Sequence, residues 1–308
     1  MGRLPSRGVE PNSVVMPSHF SLLPHRSIIS VAGADRVDFL QGLISNDTRK
    51  VAPGSAIWAA LLTPQGRFLN DMFVADAGGD IFYLETERER APALAKKLKM
   101  YTLRSKVTVE DLGATLEVAV AFGDDARRAL GVGVASFTDP RLDGLGVRVI
   151  AAAGQASALL AARGFDEAPL AAYDALRLPL GVPDGSRDLQ VEKALLLENG
   201  FDELNGVDWK KGCYMGQELT ARTKYRALIK KRLFPVRVDG TLPEPGTPVV
   251  RDGEEVGELR SGTGDRALAM LRLDAARGDG TALTAGGARI LPETPPWMRL
   301  PDPAASGG

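Results

Sequence analysis

From Ser27 onward, apolar and polar positions fall into short runs of two kinds. SIISV reads as a strand, whereas ADRVDFLQGLIS carries Val37, Leu40 and Ile44 on one helical face. Three strand-length runs follow, AIWAALL, RFLNDMFVAD and DIFYLET, divided by the turn formers Pro64–Gly66 and Gly78–Gly79. Pro92 opens a predicted helix whose core face is Leu94 and Leu98, and SKVTVED returns to strand. The order then repeats loosely as strand TLEVAVAF, helix DDARRAL, strand GVRVIAA and helices GQASALLAAR and PLAAYDALRLPL. Strands and helices are mixed without the regular alternation of a doubly wound sheet, so the pattern predicts an α+β fold.

The character changes after Lys231. RLFPVRV, TPVV, EVGELRSG, RALAMLRL, TALT and ARIL are short β runs split by Gly, Pro and Asp, the spacing of a small barrel or sandwich. The predicted division is a flexible tail over 1–26, an α+β region over 27–231, a β module over 232–297 that ends on a Trp297 anchor, and a second tail over 298–308. The first twenty residues mix Arg, Pro and polar residues without an apolar core, which is not a secretory signal. Glu10 and three prolines make them a poor matrix presequence. No apolar run approaches bilayer-spanning length.

Composition narrows the chemistry. The 308 residues hold 38 Lys+Arg against 39 Asp+Glu, which argues against a surface that wraps nucleic acid or acidic membrane as a whole. One cysteine excludes an intramolecular disulfide, a zinc site built on Cys pairs and a self-contained iron–sulfur cluster. The two histidines, His19 and His25, lie early in the chain and leave no zincin motif and no Ser-His-Asp set. There is no phosphate-binding GxxxxGK(S/T) loop, and GVGVAS lacks the third glycine of a dinucleotide fingerprint.

The most informative stretch is 205–236, NGVDWKKGCYMGQELTARTKYRALIKKRLFPV. Lys210 and Lys211 precede Gly212 and Cys213, and Gly216 follows. The glycines permit a sharp turn, and GQELTARTKYRALIKK reads as a helix, placing the thiol near a helix N-terminus. That end and the two ammonium groups favour thiolate, the setting of a reactive cysteine; a buried, merely packed cysteine is the alternative. Arg222, Lys224, Arg226, Lys230, Lys231 and Arg232 put six cations in eleven residues, with Tyr225 among them. Such a run suits an anion, an acidic partner, RNA or simply a solvated helix face.

KGCYMGQE resembles the KGC(F/Y)xGQE signature of the YgfZ-type folate-binding proteins, relatives of the T-protein aminomethyltransferase of the glycine cleavage system. The motifs FLQGLISNDT, LLTPQGRFLNDMFV, VPDGSRDL, LLLENGFDELNGVDW and VGELRSG…ALAMLRL extend the resemblance from about Ser27 to Trp297. The branch that includes the mitochondrial iron–sulfur cluster assembly factor is the most similar. The resemblance implies two interleaved ferredoxin-like units and a C-terminal β-barrel, arranged as a ring around a central cavity for tetrahydrofolate. It implies Cys213 as the functional thiol, within the signature residues Lys211, Gly212, Tyr214, Gly216, Gln217 and Glu218. It assigns Glu198 to the pterin edge, where a carboxylate accepts paired N–H groups, and Asp71 to the reactive folate nitrogen, with Asn70 where the T-protein has a second Asp. Asn46, beside Asp47, and Arg104, with Lys106 nearby, are further candidate folate contacts. No intrinsic metal site is implied.

The resulting expectation is a tetrahydrofolate-binding accessory protein of iron–sulfur cluster assembly or repair, not an enzyme. Its partners would be A-type cluster carriers or client iron–sulfur enzymes, without RNA or membrane. The alternative is a folate-dependent aminomethyltransferase. The Ala/Gly-rich composition points to a bacterial cytoplasm, with the mitochondrial matrix as the other location.

Overall fold

The computed structural model describes residues 17–225, 229–278 and 282–301. Along the chain run β1 (His19–Leu22), β2 (Arg26–Ala32), α1 (Arg36–Gln41), β3 (Ala56–Leu62), β4 (Phe68–Gly78), β5 (Ile81–Glu87), α2 (Ala91–Tyr101) and β6 (Thr108–Asp111). The second unit adds β7 (Leu116–Phe122), β8 (Ala135–Thr138), β9 (Val147–Ala152), α3 (Ala156–Ala161), β10 (Asp166–Glu167) and α4 (Leu170–Arg177). An irregular stretch then leads to α5 (Gln217–Tyr225). Last come β11 (Lys231–Asp239), β12 (Pro248–Arg251), β13 (Glu254–Thr263), β14 (Arg266–Arg272), α6 (Leu273–Arg277), β15 (Leu283–Ala285) and β16 (Ala288–Pro292).

The strands form two five-stranded sheets and a closed barrel. The first sheet has the order β3-β4-β5-β2-β6, the second β10-β1-β7-β9-β8, and the barrel β11-β14-β13-β12-β15-β16. Alternation along each strand explains the layering. On one face of the first sheet Ile57, Ala59, Met72 and Val74 meet Leu40 of α1 and Leu94 and Leu98 of α2. Its other face, with Trp58, Ala60 and Phe73, packs against Val118, Val120 and Phe137 of the second sheet. The back of that sheet, with Ala119, Val147 and Val149, is covered by Ala156 and Leu160 of α3. The fold is therefore α+β with a terminal barrel.

The two units interleave through β1, which sits in the second sheet between β7 and β10 although it precedes every strand of the first. The predicted tail over 1–26 is thus corrected over 17–26, which holds β1 and the start of β2, while residues 1–16 lie outside the described residues. HFSL is too short to show alternation, and its partner β7 lies about a hundred residues later in the sequence. The predicted helix DDARRAL is a single 3-10 turn, Ala126–Ala129. Beyond Tyr225 the predicted helix meets residues 226–228, which lie outside the described residues, and Lys231 opens β11 rather than extending a helix.

The barrel begins one residue before its predicted boundary, and its core reaches past Trp297. Met298, assigned to the second tail, is 7% exposed and packs in the barrel core. Trp297 Nε1 donates to the Leu180 carbonyl at 2.7 Å and fixes the barrel to the α+β region.

Candidate functional site

The signature loop is gripped by the turn that ends α1. Lys211 is buried, and its Nζ donates to the carbonyls of Gln41 at 2.5 Å and Ile44 at 2.6 Å. Helix ends leave carbonyls without intrahelical partners, so an ammonium group completes this one. Gln41 closes the return: Nε2 donates to the Lys211 carbonyl and to Asp47 Oδ1, each at 3.0 Å, while Oε1 accepts from the Thr48 amide at 2.9 Å and hydroxyl at 2.7 Å. FLQGLISNDT thereby holds the chain two residues before Cys213.

The other side of the thiol is held as firmly. The Met215 amide donates to the Gly42 carbonyl at 3.1 Å, and the Tyr214 amide to Gln217 Oε1 at 3.2 Å. Gly216 abuts the TPQG turn, so the LLTPQGRFLNDMFV motif forms the loop's floor. The Tyr214 ring is buried 5.0 Å from the Lys211 ammonium. Burial pushes the Tyr214 hydroxyl up to about 12 and pulls the Lys211 ammonium down to about 8. Between these anchors Gly212, at φ +94°, and Cys213 are exposed.

This geometry revises the expected activation of the thiol. Lys211 is aimed into the end of α1, and Cys213 lies three residues before Gly216, the residue preceding α5. A helix dipole acts mainly within the first turn, so the loop offers an exposed sulfur on a fixed backbone rather than one set against the helix end. The packed-cysteine alternative does not hold, since the side chain faces solvent. Glu218 is exposed in the first turn of α5.

The expected folate contacts do not converge. Asp71 is 2% exposed; its Oδ1 accepts from Arg26 Nη1 and its Oδ2 from Trp58 Nε1, both at 3.2 Å. It belongs to an ionic layer between the sheets in which Arg26 and Arg148 share Glu85, and Arg141 and Arg148 share Asp139. Asn46 Nδ2 donates to the carbonyls of Trp58 at 2.8 Å and Asn205 at 2.7 Å, and its Oδ1 accepts from the Asp47 amide. Asp71 and Asn46 thus brace Trp58 from two sides and present no free group to a ligand. Arg104 is exposed on the turn after α2, as is Lys106.

Glu198 alone has the expected character. It is half-buried, makes no hydrogen bond or ion pair among the described residues, and burial raises its carboxyl above the ordinary range. It lines a cleft of about 190 Å³ with Gln190, Lys193, Lys231, Glu258 and Arg260, where the irregular stretch meets the barrel.

The basic run is broken up as well. Arg232 is buried, donating to the Leu197 carbonyl and to Glu203, each at 2.8 Å, and Lys224 pairs with Asp202 at 3.1 Å. Arg226 lies outside the described residues. Sequence reasoning missed a second buried centre in the VPDGSRDL stretch. Arg177 Nη1 donates to Asp188 Oδ2 at 2.9 Å, and Asp188 Oδ1 accepts from the Ser261 hydroxyl at 2.5 Å, tying α4 to β13. The only signal was a dense run of charges with no helical period.

Comparison with known proteins fits this layout. Residues 24–191 match the GCVT N-terminal domain, and residues 230–300 match the CAF17 C-terminal beta-barrel domain. The mitochondrial iron–sulfur cluster assembly factor IBA57 of Mus musculus is 34% identical over 283 residues, covering 83% of this chain and 78% of that protein. That of Homo sapiens is 33% identical over 305 residues, covering 89% and 84%. This chain belongs to the IBA57 family. The IBA57 homolog of Mycosarcoma maydis is 33% identical over 226 residues; the match covers 70% of this chain but 56% of that protein, so the chain spans about half of that protein's length. The IBA57 relatives carry the names of assembly factors, not of aminomethyltransferases. The solved glycine cleavage system aminomethyltransferase T from Bartonella henselae superposes with a TM-score of 0.72 at 17% identity, covering 92% of this chain and 86% of that one, and so shares its fold.

Proposed function

We propose that this IBA57-family chain is an accessory protein of iron–sulfur cluster assembly or repair, in which Cys213 offers one thiolate to a cluster shared with a partner protein. The observation that carries this reading is the exposed thiol between two fixed halves of its loop, Lys211 on α1 and Gly216 on the TPQG turn. One thiolate cannot hold a cluster by itself. Among the described residues no group of three or more His, Cys, Asp or Glu is placed to hold a metal ion. The remaining ligands would then come from the partner, an A-type carrier or a client enzyme, with the cluster as cargo. The names of the relatives support the role, and their mitochondrial naming supports a matrix location.

Tetrahydrofolate or a derivative is proposed as a ligand through Glu198 only. The cleft beside Glu198 is smaller than the roughly 300–1,000 Å³ usual for pockets that enclose such molecules. Asp71 and Asn46 have their hydrogen-bonding atoms engaged elsewhere. The residues present fit one edge of the pterin and not the whole ligand, so no step of this function runs through folate. The same engagement of Asp71 weighs against the aminomethyltransferase reading.

The test is complementation. In a deletion strain, Cys213→Ala should fail to restore the activity of cluster-dependent enzymes while melting at the wild-type temperature. Full restoration would overturn the thiol role.

A further inference from the structure

Three large apolar side chains stand exposed within four residues at the end of α2: Met100 at 59%, Tyr101 at 41% and Leu103 at 91%. They are not the core face of the helix, which is Leu94, Ala95 and Leu98 and is buried. The segment KKLKMYTLRSK surrounds them with Lys96, Lys97, Lys99, Arg104 and Lys106 and contains no acid. None of these five side chains forms an ion pair among the described residues. Tyr101 reaches the signature loop, its hydroxyl 3.7 Å from Met215 Sδ, two residues from Cys213. An apolar tip with an unneutralised cationic rim therefore adjoins the exposed thiol.

We propose that residues 96–106 and the Cys213 loop form one docking face for an acidic protein partner that carries an apolar recess beside its own cluster ligands. The inference rests on the proposed function for its choice of partner and not for its geometry. Opposite charge on the partner would steer approach and set orientation, while the Met100–Leu103 tip would supply the desolvated centre of the contact. That arrangement would bring the partner's ligands to Cys213 without asking the thiol for binding energy. A membrane surface fits less well, because an interfacial helix needs its apolar face free and here that face is in the core. Single-stranded RNA fits less well, because stacking platforms use several aromatic rings and this segment has Tyr101 alone.

The test uses the full chain and a purified, cluster-free A-type carrier, with affinity measured by calorimetry at low and high salt. Leu103→Asp and the pair Lys96→Glu with Lys99→Glu alter exposed side chains and leave the fold intact by circular dichroism. Each should weaken binding about tenfold, with wild-type affinity falling as salt rises. If Leu103→Asp weakens binding while Cys213→Ala restores enzyme activity, the docking face stands and the thiol role falls. Wild-type affinity in the Leu103 and Lys96/Lys99 variants overturns the docking face, as does absence of carrier binding by the wild type. Loss of binding to RNA or to phosphatidylserine vesicles in those variants, with carrier binding unchanged, overturns it in favour of that ligand.

Discussion

Gly66 and Gly216 stand back to back where the turn between β3 and β4 meets the signature loop. A Cβ on Gly216 would lie 2.4 Å from the Thr63 carbonyl oxygen and 3.0 Å from Gly66 Cα; a Cβ on Gly66 would lie 2.7 Å from the Gly216 carbonyl oxygen. Both residues also sit at φ +80°, where a side chain is strained. The two motifs are thus one contact between glycines, and the position of Cys213 depends on it. Gly216→Ala should cost about 2 kcal/mol or more, since left-handed geometry alone costs roughly 1–2 kcal/mol and backbone must also move. A thermal melt with limited proteolysis of the loop checks this; an unchanged melt and cleavage pattern would show that the contact is not needed.

Lys211→Met tests the other anchor. The variant removes two hydrogen bonds to the Gln41 and Ile44 carbonyls and leaves those oxygens buried against an apolar chain. The expected loss is about 2–3 kcal/mol, typical of buried polar groups left without partners. Amide exchange should quicken over the loop and over the end of α1 together, because each holds the other. Faster exchange in the loop alone would contradict a shared anchor.

The pattern of apolar positions already contained the strands β2 to β5, the core face of α2 and the change of character at Lys231, because these depend on local period. What it could not contain were pairings between distant segments. HFSL has no period to read and is defined as β1 by its register with β7 and β10. KGCYMGQE identified the loop, yet Lys211 looked like an activator of the thiol from its position two residues away, and only the fold shows it turned into α1. Asp71 and Asn46 were legible as motif residues but not as braces of Trp58, since that role lies in contacts across the sheets. Met100, Tyr101 and Leu103 carry no sequence signal of their own, and their exposure follows from where α2 stops packing.

Asp71→Asn separates a structural carboxylate from a catalytic one. Removing the charge leaves Arg26 with less compensation in a buried layer, and breaking buried pairs typically costs about 3–5 kcal/mol. The denaturant midpoint should fall accordingly, and incubation with tetrahydrofolate and methylamine donors should give no turnover in wild type or variant. Wild-type turnover that vanishes in a stably folded Asp71→Asn protein would restore the transferase reading.

Glu198→Gln should behave in the opposite way. The side chain makes no hydrogen bond or ion pair among the described residues and feels only the more distant charges of Lys231 and Arg67, so the substitution should shift stability by less than about 0.5 kcal/mol. If a pterin edge binds there, losing the charged acceptor should weaken tetrahydrofolate binding about tenfold, the scale of a charge-assisted hydrogen bond. Fluorescence titration reads this directly, and equal affinities would remove Glu198 from the ligand contacts.

Asp139 makes the fold sensitive to acid. Burial alone would raise its carboxyl, but the guanidinium groups of Arg141 and Arg148 outweigh that and hold it at about 2, against 3.8 in an ordinary setting. A carboxylate whose folded value is depressed contributes stability that is fully present above the unfolded value. That stability is lost as pH falls through the folded one. The window here runs from about pH 4 down to about pH 2, and the shift corresponds to about 2 kcal/mol. Asp139→Asn cannot take up this proton and leaves the two arginines without their shared partner, costing about 3 kcal/mol near neutral pH. The difference in urea midpoint between wild type and variant should therefore narrow between pH 4 and pH 2, as the wild type loses what the variant never had. A gap of constant size over that range would mean that Asp139 is not the charge that holds Arg141 and Arg148 between the sheets.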